Sequence, residues 1–345
     1  MLKKHKWIAP VAFVLLVIVT VYVVASQSKT FTAEGFVEYV GAVEPWGLAV
    51  SVVCMLGYIA FEGMALLVLC HAMGYDSSFH RGVLYSAADI YFSAVTPSAT
   101  GGQPASALLL MADEIPGAVT TVALLINLCM YNLALLGSAL VGWLIWPGVL
   151  GVFDPLAHVL IGAGALLHLA LVAGILLLVF SDRLFLRLVN LFLHLGQKLH
   201  LVKSAEARAE RLLKIEDDYR VCSGGLMRSK GALTLALLYN LIQRVATSLV
   251  PVVIYAATGG SAPDLSRLFS IHVMAVLGSN SIPVPGAVGV ADYLFLNGYG
   301  ALMPDPTNLE LLSRTITFYS CVLVCGILLL LSFFINNKKP RKREA

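Results

Sequence analysis

Apolar residues run through this chain in long, almost uninterrupted blocks, and six of these blocks have the length of a membrane-spanning helix. A helix needs about 20 predominantly apolar residues to cross the hydrocarbon core of a bilayer. The six blocks cover residues 7–25, 46–70, 118–143, 157–180, 230–255 and 311–335. The pattern therefore predicts an all-α polytopic membrane protein with about six full transmembrane helices.

Two further apolar stretches are interrupted by polar turns and do not fit single crossings. Residues 82–112 contain TPSATGGQP, and residues 265–300 contain GSNSIPVPGAVGVAD. Proline and glycine are disfavoured in helix interiors. Irregular backbone at membrane depth is tolerated only where it is buried in protein or lines a water-filled cavity. Each stretch is expected to enter and return on one side, or to form two short crossings. We predict two re-entrant helical hairpins.

The two hairpin segments resemble each other at a constant offset of 181 residues. The identities are Ala94-Val95 with Ala275-Val276, Ser98 with Ser279, and Pro104 with Pro285. Three predicted spans separate the segments, so the hairpins would enter from opposite faces. This is the arrangement of an inverted repeat, as in transporters with a binding site at the midplane. Chance recurrence of small residues and proline is the alternative.

The number of charged residues indicates the class of protein, and their positions predict its orientation in the membrane. Only 12% of the residues are charged, far fewer than a soluble core of this size would carry. The basic residues concentrate before the first span, in residues 181–230 and in the tail 336–345, whereas the opposite loops carry one lysine. By the positive-inside rule, both termini are cytoplasmic in a plasma-membrane protein. We expect one domain over 1–335, with a cytoplasmic insert at 181–230, and no nucleic-acid partner.

Several segments have two interpretations. The first span ends at Val23-Val24-Ala25, which resembles a signal-peptide cleavage site, although the run is long enough to be retained as an anchor. The 181–230 insert is favoured as a membrane-surface linker over a docking site for another protein. The six cysteines show no metal or disulfide spacing, so they are expected to fill the core, and no metal or cofactor is predicted.

Ionisable side chains inside the membrane are the candidates for function. Each costs about 2.5–3.5 kcal/mol at a helix centre on insertion scales, so it needs a partner or water. The chain places Glu62, Asp89, Arg244, Asp292 and Arg314 in or beside predicted membrane segments. They are expected to form a polar cluster around a central cavity. The alternatives are interhelical ion pairs and, for Arg314, snorkelling to the interface.

The first hairpin turn offers a second kind of chemistry. Exposed amides at Gly101 and Gly102, with the hydroxyls of Ser98 and Thr100, would bind a phosphate without a fixed charge. Gln103 and Pro104 complete this turn, and Ser279 and Pro285 mark matching positions in the second. The alternative is that the glycines only permit close packing of the hairpin.

Three motifs resemble one known family. TPSATGGQPASALLL, followed downstream by PVPGAVGVADYLF and LLSRTITFY, is similar to the lysylphosphatidylglycerol synthase transmembrane-region family, the flippase-like membrane domain. The resemblance extends over nearly the whole chain and implies movement of aminoacylated phosphatidylglycerol or other lipids between leaflets. Ser106 and Asp292 depart from the family pattern, which often has Gln or Glu at the first position and usually Glu at the second. The resemblance therefore does not imply the headgroup.

The favoured function is a lipid translocase acting on a phospholipid or a polyprenyl-phosphate-linked lipid, without ATP hydrolysis because no P-loop motif is present. The alternative is phosphatidylglycerol lysyltransferase or its membrane partner subunit. Some family members carry a cytoplasmic domain that transfers lysine from tRNA to the lipid, and this chain looks too short for that reaction alone. An accessory membrane protein without transport is a third reading. The expected partners are lipids with an anionic or phosphate headgroup and a separate lipid-modifying synthase, and the oligomeric state is left open.

Overall fold

The computed structural model describes residues 32–96, 99–181, 219–279 and 289–337, together with residues 187, 190, 282 and 287. Within these residues every regular element is a helix, so the predicted all-α polytopic class is confirmed. The first predicted span, most of the 181–230 insert and residues 338–345 lie outside the described residues.

The helices follow one another with short connections. In chain order they are α1 (Ala33–Ala42), α2 (Pro45–Ala72), α3 (Phe79–Val95), α4 (Gly102–Ala112), α5 (Gly117–Ile145), α6 (Pro155–Phe180), α7 (Lys230–Ala257), α8 (Ala262–Ser279), α9 (Val290–Tyr299), α10 (Thr307–Arg314) and α11 (Cys321–Asn337). A 3-10 helix, Pro147–Val152, precedes α6, and a π-helix, Thr315–Ser320, joins α10 to α11. Residues 219–228 are also helical.

Five segments are long and apolar enough to cross a membrane: α2, α5, α6, α7 and the continuous unit of α10, the π-helix and α11. They coincide with five of the six predicted spans. They differ in burial: 67% of the most apolar window of α5 is buried, against 28% in α6. Because lipid is the only other apolar medium available, α5 forms the centre of the bundle and α6 presents its side chains to lipid.

The predicted hairpins are helical hairpins in the structure, formed by α3 with α4 and by α8 with α9. Contacts fix the direction of the helices beside the first one. The start of α2 meets the end of α7, where Glu44 N donates to Ala257 O at 3.0 Å. Asn240 and Arg244 of α7 contact Asn127 and Tyr131 of α5 in the same order, so these two helices are parallel. Since α2 and α5 then run in opposite directions, the first hairpin enters and returns at one end of the bundle.

The second hairpin begins and ends at the other end of the bundle. It follows the end of α7, and α10 after it contacts α1, which lies just before the start of α2. The two hairpins therefore enter from opposite ends. This is the relation expected when each half of the chain contributes one hairpin to a shared centre.

The packing between the two halves is reciprocal. The first arm of each hairpin packs against the last helix of the other half, α3 on α11 and α8 on α5. Both contacts use a glycine: a Cβ on Gly326 would lie 2.9 Å from Tyr91 Cε2, and one on Gly142 would lie 2.4 Å from Val273 Cγ2. The helices α2 and α7 pack along each other between the hairpins. An inverted repeat produces this exchange of equivalent contacts.

Candidate functional site

A cavity of about 900 Å³ lies in the bundle, where both hairpins meet α2, α5, α6, α7 and α10. Six of the predicted site residues line it: Glu62, Asp89, Gln103, Arg244, Ser279 and Arg314. Asp292 lies directly behind Arg314, and Thr100, Gly101, Gly102 and Pro104 form the adjoining turn and first turn of α4. Ser98 and Pro285 lie outside the described residues. The predicted polar cluster around a cavity is therefore present.

Two acidic side chains from neighbouring helices form the first part of the site. Glu62 of α2 and Asp89 of α3 line the same cavity, each one turn beyond the contact in which Ser86 Oγ donates to Ile59 O at 2.8 Å, and we call them the carboxyl pair. They meet because α2 and α3 approach closely at Gly63, where a Cβ would lie 2.5 Å from Gly82 O. Glu62 is only 7% exposed. Charged groups of the same sign in such a setting cannot both be ionised without a large cost.

The TGGQP turn brings α4 onto this carboxyl pair. Gln103 Nε2 donates to Asp89 Oδ2 at 2.9 Å, and Ser93 Oγ donates to Asp89 Oδ1 at 3.2 Å. Gly102 packs against the same side chains, because a Cβ there would lie 2.0 Å from both Asp89 Oδ1 and Ser93 Oγ. The Gly101 amide donates to Thr96 Oγ1 at 2.9 Å, so it closes the turn. The glycines thus allow the two hairpin arms to meet at Asp89.

Arg244 lies across the cavity wall between two tyrosine rings. Its NH2 donates to Tyr131 OH at 2.6 Å, and its guanidinium carbon lies 4.2 Å from the centre of the Tyr131 ring and 5.7 Å from that of Tyr58. The side chain is 8% exposed, and its Nε has no hydrogen-bond partner among the described residues. A guanidinium stacked on aromatic rings and short of acceptors is suited to binding an anion.

Hydrogen bonds between buried polar side chains hold together the helices around Arg244. Asn240 Nδ2 donates to Asn127 Oδ1 at 3.1 Å, and Gln243 Nε2 donates to Asn240 Oδ1 at 2.6 Å. On α6, His168 Nδ1 and Asn132 Oδ1 lie 2.5 Å apart. These contacts between buried amides and imidazole hold α5, α6 and α7 in register, because each would cost free energy if left without its partner.

Arg314 belongs to a second acidic cluster, which consists of Asp292, Glu310 and Arg314. Arg314 NH1 lies 2.9 Å from Asp292 Oδ1, and its Nε lies 3.9 Å from Glu310 Oε1. The other Asp292 oxygen accepts from Gly289 N at 2.8 Å, at the start of α9. Arg314 is 5% exposed, so it does not snorkel to the interface and is held inside the bundle.

The carboxyl pair together with Arg244 has the same composition as the second acidic cluster, namely two carboxyl groups and one arginine. If all six groups were ionised, the four acids and two arginines would leave two uncompensated negative charges at the cavity. Such an excess inside an apolar bundle favours either proton uptake or a cationic ligand group. The cavity therefore offers arginine donors for a phosphate beside acidic groups for a proton or an amine.

Sequence reasoning missed several residues of this site. Glu310 lies four residues before Arg314, and Tyr58 lies four residues before Glu62, so helical spacing places each pair on one face. Tyr131 and His168 were hidden in apolar spans, where a polar residue is itself the signal. His272 was also missed. Its Nδ1 lies 2.6 Å from Tyr299 OH where α8 and α9 meet, and the tautomer decides which of the two atoms is the donor.

The comparison with protein families finds one match. Residues 7–325 match the family described as the lysylphosphatidylglycerol synthase TM region. No curated protein and no solved structure matches the chain. The matched residues contain both hairpins, both acidic clusters and every described helix up to the first turn of α11.

Proposed function

Since the chain belongs to the lysylphosphatidylglycerol synthase TM-region family, which links this polytopic membrane protein to lipid handling, we propose that it is a lipid translocase. Its substrate is a phospholipid or a polyprenyl-phosphate-linked lipid that it moves between leaflets. The plasma membrane, with both termini in the cytoplasm, is the proposed location, and a separate lipid-modifying synthase is the proposed protein partner.

The cavity is the observation that carries this proposal. It lies between helices long enough to span a bilayer, and hairpins from both ends of the bundle reach it. A lipid headgroup that crosses a membrane needs replacement for its lost hydration only around the headgroup, since the tails remain in lipid. Arg244 and the surrounding hydroxyl and amide groups supply that replacement.

Arg244 is the proposed phosphate ligand. Its guanidinium donates to Tyr131 OH and stacks on the same ring, and its Nε has no partner among the described residues, which leaves a donor for a phosphate oxygen. Arg314 is committed to Asp292 and Glu310, so its charge is already balanced by protein. A bidentate contact from arginine to phosphate is stronger and more directional than the contact from a lysine.

The test is movement of a fluorescent phospholipid in vesicles that contain the purified protein. We expect Arg244→Ala to reduce the rate at least about tenfold, because loss of one charge-assisted contact costs about 1.5–3 kcal/mol. Arg244→Lys should recover part of the rate. The matched control is Arg267→Ala, which removes an arginine that pairs with Asp264 and stacks on Trp146 outside the cavity.

Rates must be normalised to protein that elutes from detergent as one monodisperse species, because a buried arginine also supports packing. Parental rates in a well-folded Arg244→Ala protein would contradict the assignment of Arg244. A lack of protein-dependent lipid movement by the parental chain, for every lipid offered, would contradict the translocase proposal itself.

The family description also names a synthase, which keeps phosphatidylglycerol lysyltransferase, or its membrane partner subunit, as the second candidate. The acidic and arginine groups described here lie inside the helical bundle, where a tRNA has no access. We therefore expect no lysylphosphatidylglycerol from the purified chain supplied with lysyl-tRNA and phosphatidylglycerol. Thin-layer chromatography of radiolabelled lipid checks this, and sustained product formation would establish the synthase reading.

A further inference from the structure

We propose that the carboxyl pair, Glu62 and Asp89, binds one proton and that this proton is transported together with the lipid. The inference rests on the proposed translocase function and adds the ion that couples to it. The site is the contact between α2, α3 and the TGGQP turn, on the wall of the cavity and beside Arg244.

The hydrogen bonds of Asp89 and the burial of Glu62 favour Glu62 as the group that holds the proton. Asp89 accepts with both oxygens, from Gln103 Nε2 and from Ser93 Oγ, which favours its ionised form. Two carboxyl groups on one wall of a cavity oppose each other's ionisation, and Asp89 already has donors on both oxygens, so we assign the proton to Glu62. Glu62 Oε2 is buried without a partner among the described residues, which also disfavours a charge on that group.

Arg244 is the cation that acts on Glu62, and Glu310 and Arg314 line the same cavity from α10. The other ionisable neighbours are Tyr58 on α2, Tyr131 on α5, and Cys321 and Cys325 on α11, while α4 contributes the Gln103 amide. Phenols and thiols are neutral near pH 7. His168 on α6 and His272 on α8 line the same cavity. The charge of Arg244 is therefore shared between the carboxyl pair and any anion in the cavity.

This competition links the proton to the lipid phosphate. When Glu62 carries the proton, the pair has one negative charge, and Arg244 keeps its tyrosine contacts and binds phosphate. When Glu62 releases the proton to water in the cavity, two adjacent carboxylates draw Arg244 away from the phosphate. Proton and phosphate then raise each other's affinity, because linkage between two binding sites is reciprocal. Lipid and proton move in the same direction.

Release of the proton from Glu62 also affects the first hairpin, formed by α3 and α4. Asp89 holds Gln103 of α4, and Gly102 is packed against the Asp89 side chain and backbone. A second negative charge at Glu62 therefore acts on the contact that joins the two hairpin arms. The TGGQP turn is thus placed to respond to the proton, which explains why glutamine follows the two glycines there.

The first experiment measures the proton directly. Infrared difference spectra of the purified protein, recorded between about pH 5 and pH 9, report the carbonyl stretch of protonated carboxyl groups. We expect Glu62→Gln to remove a titrating component of this signal and Glu38→Gln, a change at an exposed residue of α1, to retain it. Glu310→Gln identifies any contribution of the second acidic cluster. A Glu62→Gln spectrum identical to the parental one would overturn the proton site.

The second experiment measures transport. For a fluorescent phospholipid with an anionic headgroup, we expect the parental rate to rise at least about fivefold from pH 8.5 to pH 6, since protonation frees Arg244. Glu62→Gln should give a nearly constant rate at all pH values, and Glu62→Asp should restore the dependence. A parental rate that does not change with pH would overturn the coupling, whether or not the variants fold.

The two proposals fail in different ways. If the parental protein moves no lipid at any pH, the translocase function is wrong, while the infrared titration still reports on the proton. If lipid moves at a rate independent of pH and of an imposed proton gradient, the translocase function stands and the proton coupling is wrong.

Discussion

Gly102 shows how much one residue determines at this site. The turn around it was predicted from the density of glycine and proline, but the sequence allowed two roles for the glycines, a phosphate cradle or close packing. The structure gives the Gly101 amide an internal partner, Thr96 Oγ1, and brings Gly102 against Asp89. A sequence cannot distinguish these roles, because both require a residue without a Cβ.

Substitution of Gly102 should therefore separate the hairpin arms. A Cβ would lie 2.0 Å from Asp89 Oδ1 and 2.6 Å from Asp89 O, and the second atom is backbone that cannot rotate away. We expect Gly102→Ala to lower the free energy of unfolding by about 1–3 kcal/mol, as overpacking does. Lipid movement per folded molecule should fall as well, because Asp89 and Gln103 are forced apart.

Gly162→Ala is the matched control for that variant. Gly162 also lies within a helix, α6, but nothing is within 4 Å of a Cβ built there. Alanine is favoured over glycine in helix interiors, so the control should be neutral or slightly stabilising. Equal thermal stability and equal lipid movement for the Gly102→Ala and parental proteins would show that the close contact at Asp89 has no functional role.

At the scale of elements, the membrane spans could be predicted from the sequence, whereas the π-helix that joins α10 to α11 could not. Five described spans agree with their predictions within a few residues, because apolar length and proline at helix starts, such as Pro45 and Pro155, are visible in the sequence. The π-helix Thr315–Ser320 was not predicted. Its hydrogen bonds run from residue i to residue i+5 instead of i+4, which a run of apolar residues does not reveal.

The second hairpin is anchored at its base by a contact that can be tested with pH. Tyr293 OH of α9 donates to Asp154, the residue that caps α6, at 2.5 Å, and Asn297 Nδ2 donates to Asp154 Oδ2 at 3.1 Å. The hydrogen bond from Tyr293 is the main reason why the pKa of Asp154 is lowered from its ordinary value. The contact therefore stabilises the fold while Asp154 is ionised.

Tyr293→Phe should consequently destabilise the protein most at neutral pH. A carboxyl with a lowered pKa contributes stability above its unfolded value, about 3.9, and loses it as pH falls through the folded value. We expect the difference in melting temperature between variant and parental protein to shrink as pH falls below about 4. Tyr255→Phe is the control, since its hydroxyl accepts from Ser261 N at 3.4 Å. A difference that stays constant with pH would exclude the ionised Asp154 contact.

At the scale of the whole molecule, the inverted repeat stays a prediction, and the packing of the described helices is consistent with it. Four identities at a fixed offset indicated a repeat, and the described helices pack reciprocally, with Gly142 and Gly326 at comparable contacts. Four of the five predicted charged residues line one cavity and the fifth, Asp292, pairs with Arg314 behind it, because buried charges must find partners. Glu310 and the two tyrosines beside Arg244 were missed, since no periodicity shows which faces of distant helices will meet.

The charges of the chain predict the direction of the whole bundle in the membrane, and labelling tests this prediction. The 181–230 insert, with ten lysine and arginine residues, connects α6 to α7 at the end of the bundle where the first hairpin enters. Ser261 lies at the opposite end, just after α7. Basic segments are retained in the cytoplasm. We therefore expect cysteines introduced at Lys29 and Ser261 to react with an impermeant maleimide in intact cells.

Cysteines at Ser204 and Ala345 should react only after the membrane is permeabilised. The parental protein is the control for background, because Cys54 and Cys222 are partly exposed whereas Cys70, Cys129, Cys321 and Cys325 are buried. Labelling of Ser204→Cys in intact cells would place the basic insert outside and reverse the side from which the TGGQP turn is reached. The orientation also determines which direction of lipid transport a proton gradient would drive. Under the proposed coupling, lipid and proton move together from the side of higher proton concentration.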